Sequence, residues 1–369
     1  MLQDRFRWVS RLSPEGIAYS FVERQVPRIP DEMLECVVYL YPSEAAAEDG
    51  EQIGGTGFII GIPIPYTQPA PYHLLCVVTN KHVIDGGSMV VRVNTIDGSK
   101  TTIALDNAKW FLHPSGDDVA LCPIGMNFKL HKVKFIHPNT FLRKEIVGMF
   151  DIGRGDDVFV IGRFINREGR QKNTPSLRFG NISQMPDDGD PIILDDGTAQ
   201  ECFLVEARSI PGFSGAPVFV QIIPEPPEHP PFPPNLKQYE PKPSTKRPKM
   251  DFKAGPFLMG IDCCHIFNRD PVINAITGEP MPNLYVRSNT GMMGVVPMWR
   301  IMDIVDGREM KLLRDTMEKE VKRTKPTEPH GAMDSAVPSA SASDTDANPN
   351  HLADFTRLVD VAARKKPKD

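Results

Sequence analysis

Short apolar, β-branched runs separated by Gly, Asn, Asp and Pro clusters fill most of the chain between residues 33 and 298. The run Leu74-Leu75-Cys76-Val77-Val78-Thr79-Asn80-Lys81-His82-Val83-Ile84 is followed by Asp85-Gly86-Gly87, so it reads as a buried strand ended by a turn. Asp118 opens another such run after the Gly-containing turn Ser115-Gly116-Asp117. Pro217-Val218-Phe219-Val220 continues extended, because proline disfavours helical geometry in the residue before it. No long segment in this range has helical periodicity, and the pattern predicts an all-β class. Helical spacing is found at the ends. Ser13 as N-cap, Pro14 at the first position and Ile17, Phe21 and Val22 on one side predict a helix over residues 13–25. A second helical stretch runs from Met298 to Leu313, and Leu352, Phe355, Leu358, Val359 and Ala362 recur at the same spacing.

The length of 369 residues suits about two domains, and 40% hydrophobic residues are enough to bury a sizeable core. A formal net charge of −5 gives no basis for nucleic-acid binding. No apolar run approaches membrane-spanning length, and the charged N-terminus lacks the apolar core of a secretory signal. Cys36, Cys76, Cys122 and Cys202 sit among apolar residues and read as buried hydrophobes; Cys263 and Cys264 are adjacent, where a bridge is strained. The expectation is a cytoplasmic protein with no cofactor and no metal.

One stretch carries chemistry of its own. In Ile210-Pro211-Gly212-Phe213-Ser214-Gly215-Ala216-Pro217 a serine lies between glycines. A serine hydroxyl needs a base to take its proton and backbone donors for the oxyanion formed on attack. Gly212 frees the backbone to aim its N–H and that of Ser214 into one concavity, and Gly215 allows a close approach. The spacing and the extended continuation at Pro217-Val218-Phe219-Val220 disfavour a Gly-x-Ser-x-Gly hydrolase elbow. His82 supplies a base and Asp118 an acid, each beside strand-like sequence. The order His, Asp, Ser is one of the three known triad orders.

Thr79-Asn80-Lys81-His82, Asp118-Val119-Ala120-Leu121 and Pro211-Gly212-Phe213-Ser214-Gly215-Ala216-Pro217-Val218 resemble the motifs of trypsin-like serine peptidases of the chymotrypsin fold. The branch they most resemble is the bacterial high-temperature-requirement type. Gly54-Gly55-Thr56-Gly57-Phe58, Gly155-Asp156-Asp157-Val158, Phe179-Gly180-Asn181-Ile182-Ser183, Phe257-Leu258-Met259-Gly260-Ile261 and Gly294-Val295-Val296-Pro297 resemble further strands of that fold. The resemblance covers roughly residues 33–306.

It implies an all-β fold of two six-stranded antiparallel barrels with the active site between them, plus short N- and C-terminal helices. The expected divisions are 1–32, an N-terminal helical extension; 33–140, a first barrel with His82 and Asp118; and 141–306, a second barrel with Ser214. A C-terminal helix over 307–323, a disordered linker over 324–350 and a short amphipathic helix with a basic tail over 351–369 follow. His82 is then the general base, Asp118 its orienting acid rather than the more exposed Asp117, and Ser214 the nucleophile. Gly212 and Ser214 supply the oxyanion hole. Arg208, Ser209, Cys263, Cys264 and His265 resemble the substrate pocket, where Arg208 or His265 favours an acidic residue at the cleaved position. The implied activity is a serine endopeptidase acting on protein or peptide; the alternative is an inactive or latent protease-fold module that binds peptides through the same cleft.

The chain departs from the family at Phe213, where digestive enzymes carry an acid that pairs with a new N-terminus, so activation by that route is not expected. Too few residues follow the last strand for the peptide-binding domain of the high-temperature-requirement type. The proline-rich segment 223–256 reads as an extended, polyproline-like insertion, and it and residues 351–364 are the candidates for partner docking.

Overall fold

The computed structural model describes residues 29–324, apart from 53, 65–71, 165–169, 188, 190, 195–196, 208–211 and 222–255. The helix expected over 13–25, nearly all of the proline-rich insertion, and the linker and terminal helix beyond residue 324 lie outside the described residues. The chain divides into two compact units, Met1–Asp31 and Glu32–Asp369. All the strands and α-helices below belong to the second.

That unit holds two antiparallel systems. The first is a seven-stranded sheet built from β1 (Val37–Tyr41), β2 (Gly55–Pro63), β3 (His73–Thr79), β4 (Val90–Asn94), β5 (Lys100–Ala104), β6 (Phe111–Leu112) and β7 (Ala120–Pro123). Its order is β5-β4-β1-β2-β3-β7-β6. Strand side chains alternate between faces. Val38 and Leu40 of β1 therefore join Ile59, Val77, Val91 and Cys122 in one core, while Tyr39 and Tyr41 point the other way and are also buried. A one-turn helix, α1 (Glu44–Asp49), follows β1; Ser43 caps it by accepting the Ala46 N–H, and Gly50 ends it at φ +69°.

The second system contains β8 (Asp157–Gly162), β9 (Ser176–Gln184), β10 (Ile192–Ile193), β11 (Ala199–Gln200), β12 (Phe203–Glu206), β13 (Pro217–Val220), β14 (Phe257–Ile273) and β15 (Pro280–Pro297). Six of these close into a barrel, β12-β15-β14-β13-β8-β9, and β10 and β11 form a separate pair. Val158, Val160, Val205, Val218, Val220 and Val295 fill the barrel together with Phe203 and Phe213. The all-β architecture read from the sequence is present, with the second half a six-stranded barrel. The first sheet has seven strands, the shortest being the two-residue β6.

Two differences from the sequence reading bear on the site. The strand that carries His82 stops at Thr79, and residues 81–85 form a helical turn, α2 (Lys81–Asp85). Val83 and Ile84 favour a strand, but the backbone groups are satisfied in a turn. Gly86 N–H donates to His82 O at 2.9 Å, Gly87 N–H to Ile84 O at 2.8 Å, and the His82 N–H to Asp118 Oδ1 at 2.9 Å. The strands at 257–261 and 294–297 are also much longer than those segments. They form a 17- and an 18-residue strand whose outer halves project as a mostly exposed hairpin.

A short helix, α3 (Lys144–Met149), links the two systems in sequence, and α4 (Met298–Val305) and α5 (Arg308–Thr324) follow β15. Met298, Ile301, Ile304 and Val305 bury one side of α4, which leaves Trp299, Arg300 and Asp303 to meet other parts of the fold.

Buried polar contacts lock the sheet to the barrel. Arg163, directly after β8, is fully buried, with its Cζ 5.5 Å and 4.7 Å from the ring centroids of Tyr39 and Tyr41. Arg92 of β4 stacks on Tyr41 at 4.7 Å. Cation–π contact in a desolvated setting offsets part of the cost of burying these charges.

Candidate active site

The acid is fixed before the histidine is considered. Asp118 lies two residues ahead of β7, and both of its backbone groups are held: its N–H donates to Gln200 Oε1 at 2.8 Å, and its carbonyl accepts from Asn80 Nδ2 at 2.8 Å. One carboxylate oxygen accepts the His82 backbone N–H, and the other lies 2.7 Å from His82 Nδ1. This two-point grip sets both the position of the α2 turn and the orientation of the imidazole. Burial alone lowers the His82 pKa. The hydrogen bond with Asp118 and the charges of Asp118, Asp262 and Asp85 outweigh that and raise it above the ordinary imidazole value. With Nδ1 engaged by a carboxylate, Nε2 is the nitrogen free to exchange a proton.

The serine loop comes from the barrel but is held by the sheet. Thr56 of β2 is fully buried. Its N–H donates to Ser214 O at 2.8 Å and its hydroxyl to Gly212 O at 2.6 Å. The same hydroxyl accepts the Arg163 N–H at 3.1 Å, and the Thr56 carbonyl accepts from the Thr79 hydroxyl at 2.8 Å. Behind the loop, Gly215 N–H donates to Asp262 O at 2.9 Å. Gly212 and Gly215 both have positive φ, +96° and +88°. A Cβ on Gly215 would lie 1.9 Å from Thr56 O, so this approach of loop to strand admits glycine alone. The carbonyls of Gly212 and Ser214 are thus turned towards Thr56. Among the described residues, the amides of Gly212 and Ser214 donate to nothing.

His82, Asp118 and Ser214 line one cleft of about 520 Å³, with Cys263, Cys264 and His265 along it. No hydrogen bond joins Ser214 to His82. The structure therefore brings a carboxylate-oriented imidazole and Ser214 to one cleft, with the undonated amides of Gly212 and Ser214 in the loop that carries the serine. Such a set can take a proton from a hydroxyl and stabilise negative charge on a bound carbonyl oxygen.

Of the remaining expected pocket residues, Arg208 and Ser209 lie outside the described residues. Cys263 reaches the cleft but is nearly buried, with its sulfur 3.6 Å from Cys202 Sγ and 3.5 Å from Cys264 Sγ. Burial raises the pKa of Cys202, and thiol–thiol contacts together with burial raise those of Cys263 and Cys264, so all three stay neutral thiols. All six cysteines are free. Among the described residues no group of three or more His, Cys, Asp or Glu is arranged to hold a metal ion, and no helix is long and apolar enough to cross a membrane.

The expectation for Asp117 is corrected. It is buried, not exposed, with its carboxylate 3.3 Å from His113 Nδ1 and 3.1 Å from Arg300 Nε. Arg300 also pairs with Glu201, whose other oxygen accepts from Trp299 Nε1 at 3.1 Å, and Asp303 lies 3.3 Å from His113 Nε2. Helix α4 therefore clamps the acid-bearing loop from behind. Gln200, Glu201, Arg300 and Thr56 were not singled out from the sequence. The hydroxyl between two glycines at Thr56 was the one signal available among them.

No protein-family model matches the chain, and no curated protein does. Among solved structures the chain is similar to Rv3671c of M. tuberculosis H37Rv, in a serine-to-alanine mutant in its inactive form. That match has 15% identity and a TM-score of 0.36 over 80% of this chain and 90% of that one. The Rv3671c protease in its inactive form is similar at 15% identity and a TM-score of 0.34, over 74% of this chain and 88% of that one. The all-β class stated above rests on the strand order of this chain itself.

Proposed function

We propose that the chain is a trypsin-like serine endopeptidase. In this reading His82 Nε2 takes the Ser214 proton as Oγ attacks a peptide carbonyl carbon. The carbonyl π electrons move to oxygen, which the Gly212 and Ser214 amides receive. The tetrahedral intermediate collapses, the C–N bond breaks, and His82 returns the proton to the leaving amine. Water then repeats the sequence on the acyl-enzyme. Asp118 holds the imidazole tautomer and stabilises the imidazolium throughout. The observation that carries the proposal is the His82–Asp118 grip at 2.7 Å and 2.9 Å in the cleft that Ser214 also lines. A cytoplasmic site of action belongs to the same proposal, supported by six unbridged thiols.

A second reading has its own support. The missing Ser214–His82 hydrogen bond fits a latent or purely peptide-binding module, although catalytic hydrogen bonds commonly tighten only with substrate. Labelling by a fluorophosphonate probe separates the two. The peptidase labels at Ser214, and Ser214→Ala abolishes labelling and lowers kcat by about four to six powers of ten. Folded wild-type protein that neither labels nor cleaves a peptide library overturns the peptidase reading in favour of the binding module.

A further inference from the structure

Three of the six cysteines meet beside the cleft. Neighbouring side chains of a regular strand point to opposite faces. β14 breaks that alternation with a bulge. Asp262 pairs with Val295 and Cys264 with Gly294, so Cys263 is the extra residue. Cys263 and Cys264 then turn to the same neighbour, with their sulfurs 3.5 Å apart. Cys202, directly before β12, brings a third sulfur to 3.6 Å from Cys263 Sγ. All three converge on Gly294, where a Cβ would lie 2.6 Å from Cys264 Sγ, 3.3 Å from Cys263 Sγ and 3.6 Å from Cys202 Sγ. The thiols fill the space that any other residue at 294 would need.

The cluster is graded in access. Cys202 and Cys263 are buried, Cys264 is half-buried, and Cys263 and Cys264 line the cleft that holds His82, Asp118 and Ser214. A reagent entering the cleft therefore meets Cys264 first. The thiolate is the attacking form in disulfide exchange. Burial raises the pKa of Cys202, and thiol–thiol contacts and burial raise those of Cys263 and Cys264, so exchange here is slow.

Each end of the cluster adjoins a support of the proposed triad. Cys202 follows Gln200, which accepts the Asp118 N–H, and Glu201, which pairs with Arg300. Cys263 follows Asp262, whose carbonyl accepts the Gly215 N–H. A bond between Cys202 and Cys263 ties the support of the acid to the support of the serine loop. A disulfide bond is about 2.0 Å long, so the two sulfurs must approach by about 1.6 Å. In a close-packed interior such a movement is passed to its neighbours.

We propose that Cys202, Cys263 and Cys264 form an oxidation site, at which a low-molecular-weight disulfide creates a Cys202–Cys263 bridge that slows the peptidase. The effect on cleavage rests on the peptidase reading; the bridge itself does not. Cys264 attacks one sulfur of the incoming disulfide, which forms a mixed disulfide and releases one thiol. Cys263 attacks the Cys264 sulfur and releases the second thiol. The bridge between adjacent residues is strained, so Cys202 attacks the Cys263 sulfur and returns Cys264 to the thiol form. Each step breaks one S–S bond and forms one. In total two protein thiols are oxidised, the incoming disulfide is reduced to two thiols, and the protons of Cys202 and Cys263 pass to them.

The test exposes the folded full chain to glutathione disulfide, alkylates the remaining thiols and maps the peptides by mass spectrometry. The expected product is a Cys202–Cys263 cross-link that dithiothreitol reverses. Its kcat/KM is lower than that of the reduced protein by about 10- to 100-fold, since a misplacement of about 1 Å costs up to about 10². Cys202→Ala stops at Cys264, as a mixed disulfide or a bridge to Cys263. Cys264→Ala forms the Cys202–Cys263 bridge several-fold more slowly, because access limits exchange. Thermal melting of both variants confirms that they are folded. Cys202 that remains fully alkylated after long exposure of the wild type overturns the site. A bridged protein that cleaves at the reduced rate overturns the effect on the peptidase. Protein that forms the bridge, yet neither labelled nor cleaved before oxidation, keeps the site and sinks the peptidase. Cleavage by the reduced protein with no bridge after exposure does the reverse.

Discussion

Replacing Thr56 by valine removes one hydroxyl of known partners and keeps the shape of the side chain. Two buried groups lose their hydrogen bond: the Gly212 carbonyl at 2.6 Å and the Arg163 N–H at 3.1 Å. At about 1–3 kcal/mol for each unsatisfied group, the change costs roughly 2–6 kcal/mol of stability. The catalytic effect has a separate origin. The Thr56 hydroxyl holds the Gly212 carbonyl, and with it the peptide that joins Gly212 to Phe213, in the stretch between the two proposed donors, the Gly212 and Ser214 N–H groups. Released, this peptide can turn and carry the flanking N–H groups off line, so that the proposed oxyanion hole loses one of its two donors. Loss of one such donor costs about 10²–10³ in kcat, which sets the upper bound. The expected result for Thr56→Val is a kcat lower by about 10- to 1000-fold with KM little changed, because the amide meets the oxygen most strongly in the transition state. Thr56→Ser keeps the hydroxyl and stays within several-fold of wild type. Steady-state kinetics on a chromogenic peptide and the rate of fluorophosphonate labelling read the catalytic effect; thermal melting reads the stability. If Thr56→Val melts lower as expected yet keeps kcat within about twofold, the hydroxyl does not hold the loop that bears the proposed donors and the reasoning fails.

Two further outcomes follow from the same geometry. A general base must be neutral to act, and the His82 pKa is raised, so kcat/KM falls with acid through a value above the usual imidazole pKa of about 6.5. Asp118→Asn removes the largest of the contributions that raise it and leaves those of Asp262 and Asp85, moving that limb to lower pH while kcat drops by about 10⁴; a wild-type limb at or below pH 6.5 contradicts this. Arg300→Met leaves the buried carboxylates of Asp117 and Glu201, 8% and 6% exposed, without their shared cation. Breaking a buried pair in this way costs about 3–5 kcal/mol, measured by urea unfolding, and a loss under about 1 kcal/mol shows that His113 and Lys144 suffice.

The local strings of the sequence carried the strand class and the three residues of the proposed triad, because each is a short pattern beside its own strand. What they did not carry is long-range. Asp117 reads as exposed from a Ser-Gly-Asp-Asp turn, and its burial is due to Arg300, 183 residues further on. The hydroxyl of Thr56 gains its role from a carbonyl 156 residues away. The outer hairpin escaped for a different reason. From Phe267 to Val286 most residues are exposed on both faces, so no period-two alternation marks them as strand, and Arg269 and Arg287 face each other only through a register that sequence does not reveal. His82 was placed at the end of a strand because Val83 and Ile84 are β-formers. A carboxylate from another loop, by accepting the His82 amide, made the helical turn instead.

The clamp that α4 places on Asp117 has a consequence for the order in which the chain is made. Synthesis runs from the N-terminus, and His82, Asp118 and Ser214 leave the ribosome before Asp262, which anchors Gly215, and well before Arg300, which neutralises Asp117 and Glu201. A nascent chain holding the three proposed reacting residues still lacks the supports that fix two of the three loops bearing them. The supports of the cleft are therefore complete only once translation has passed α4.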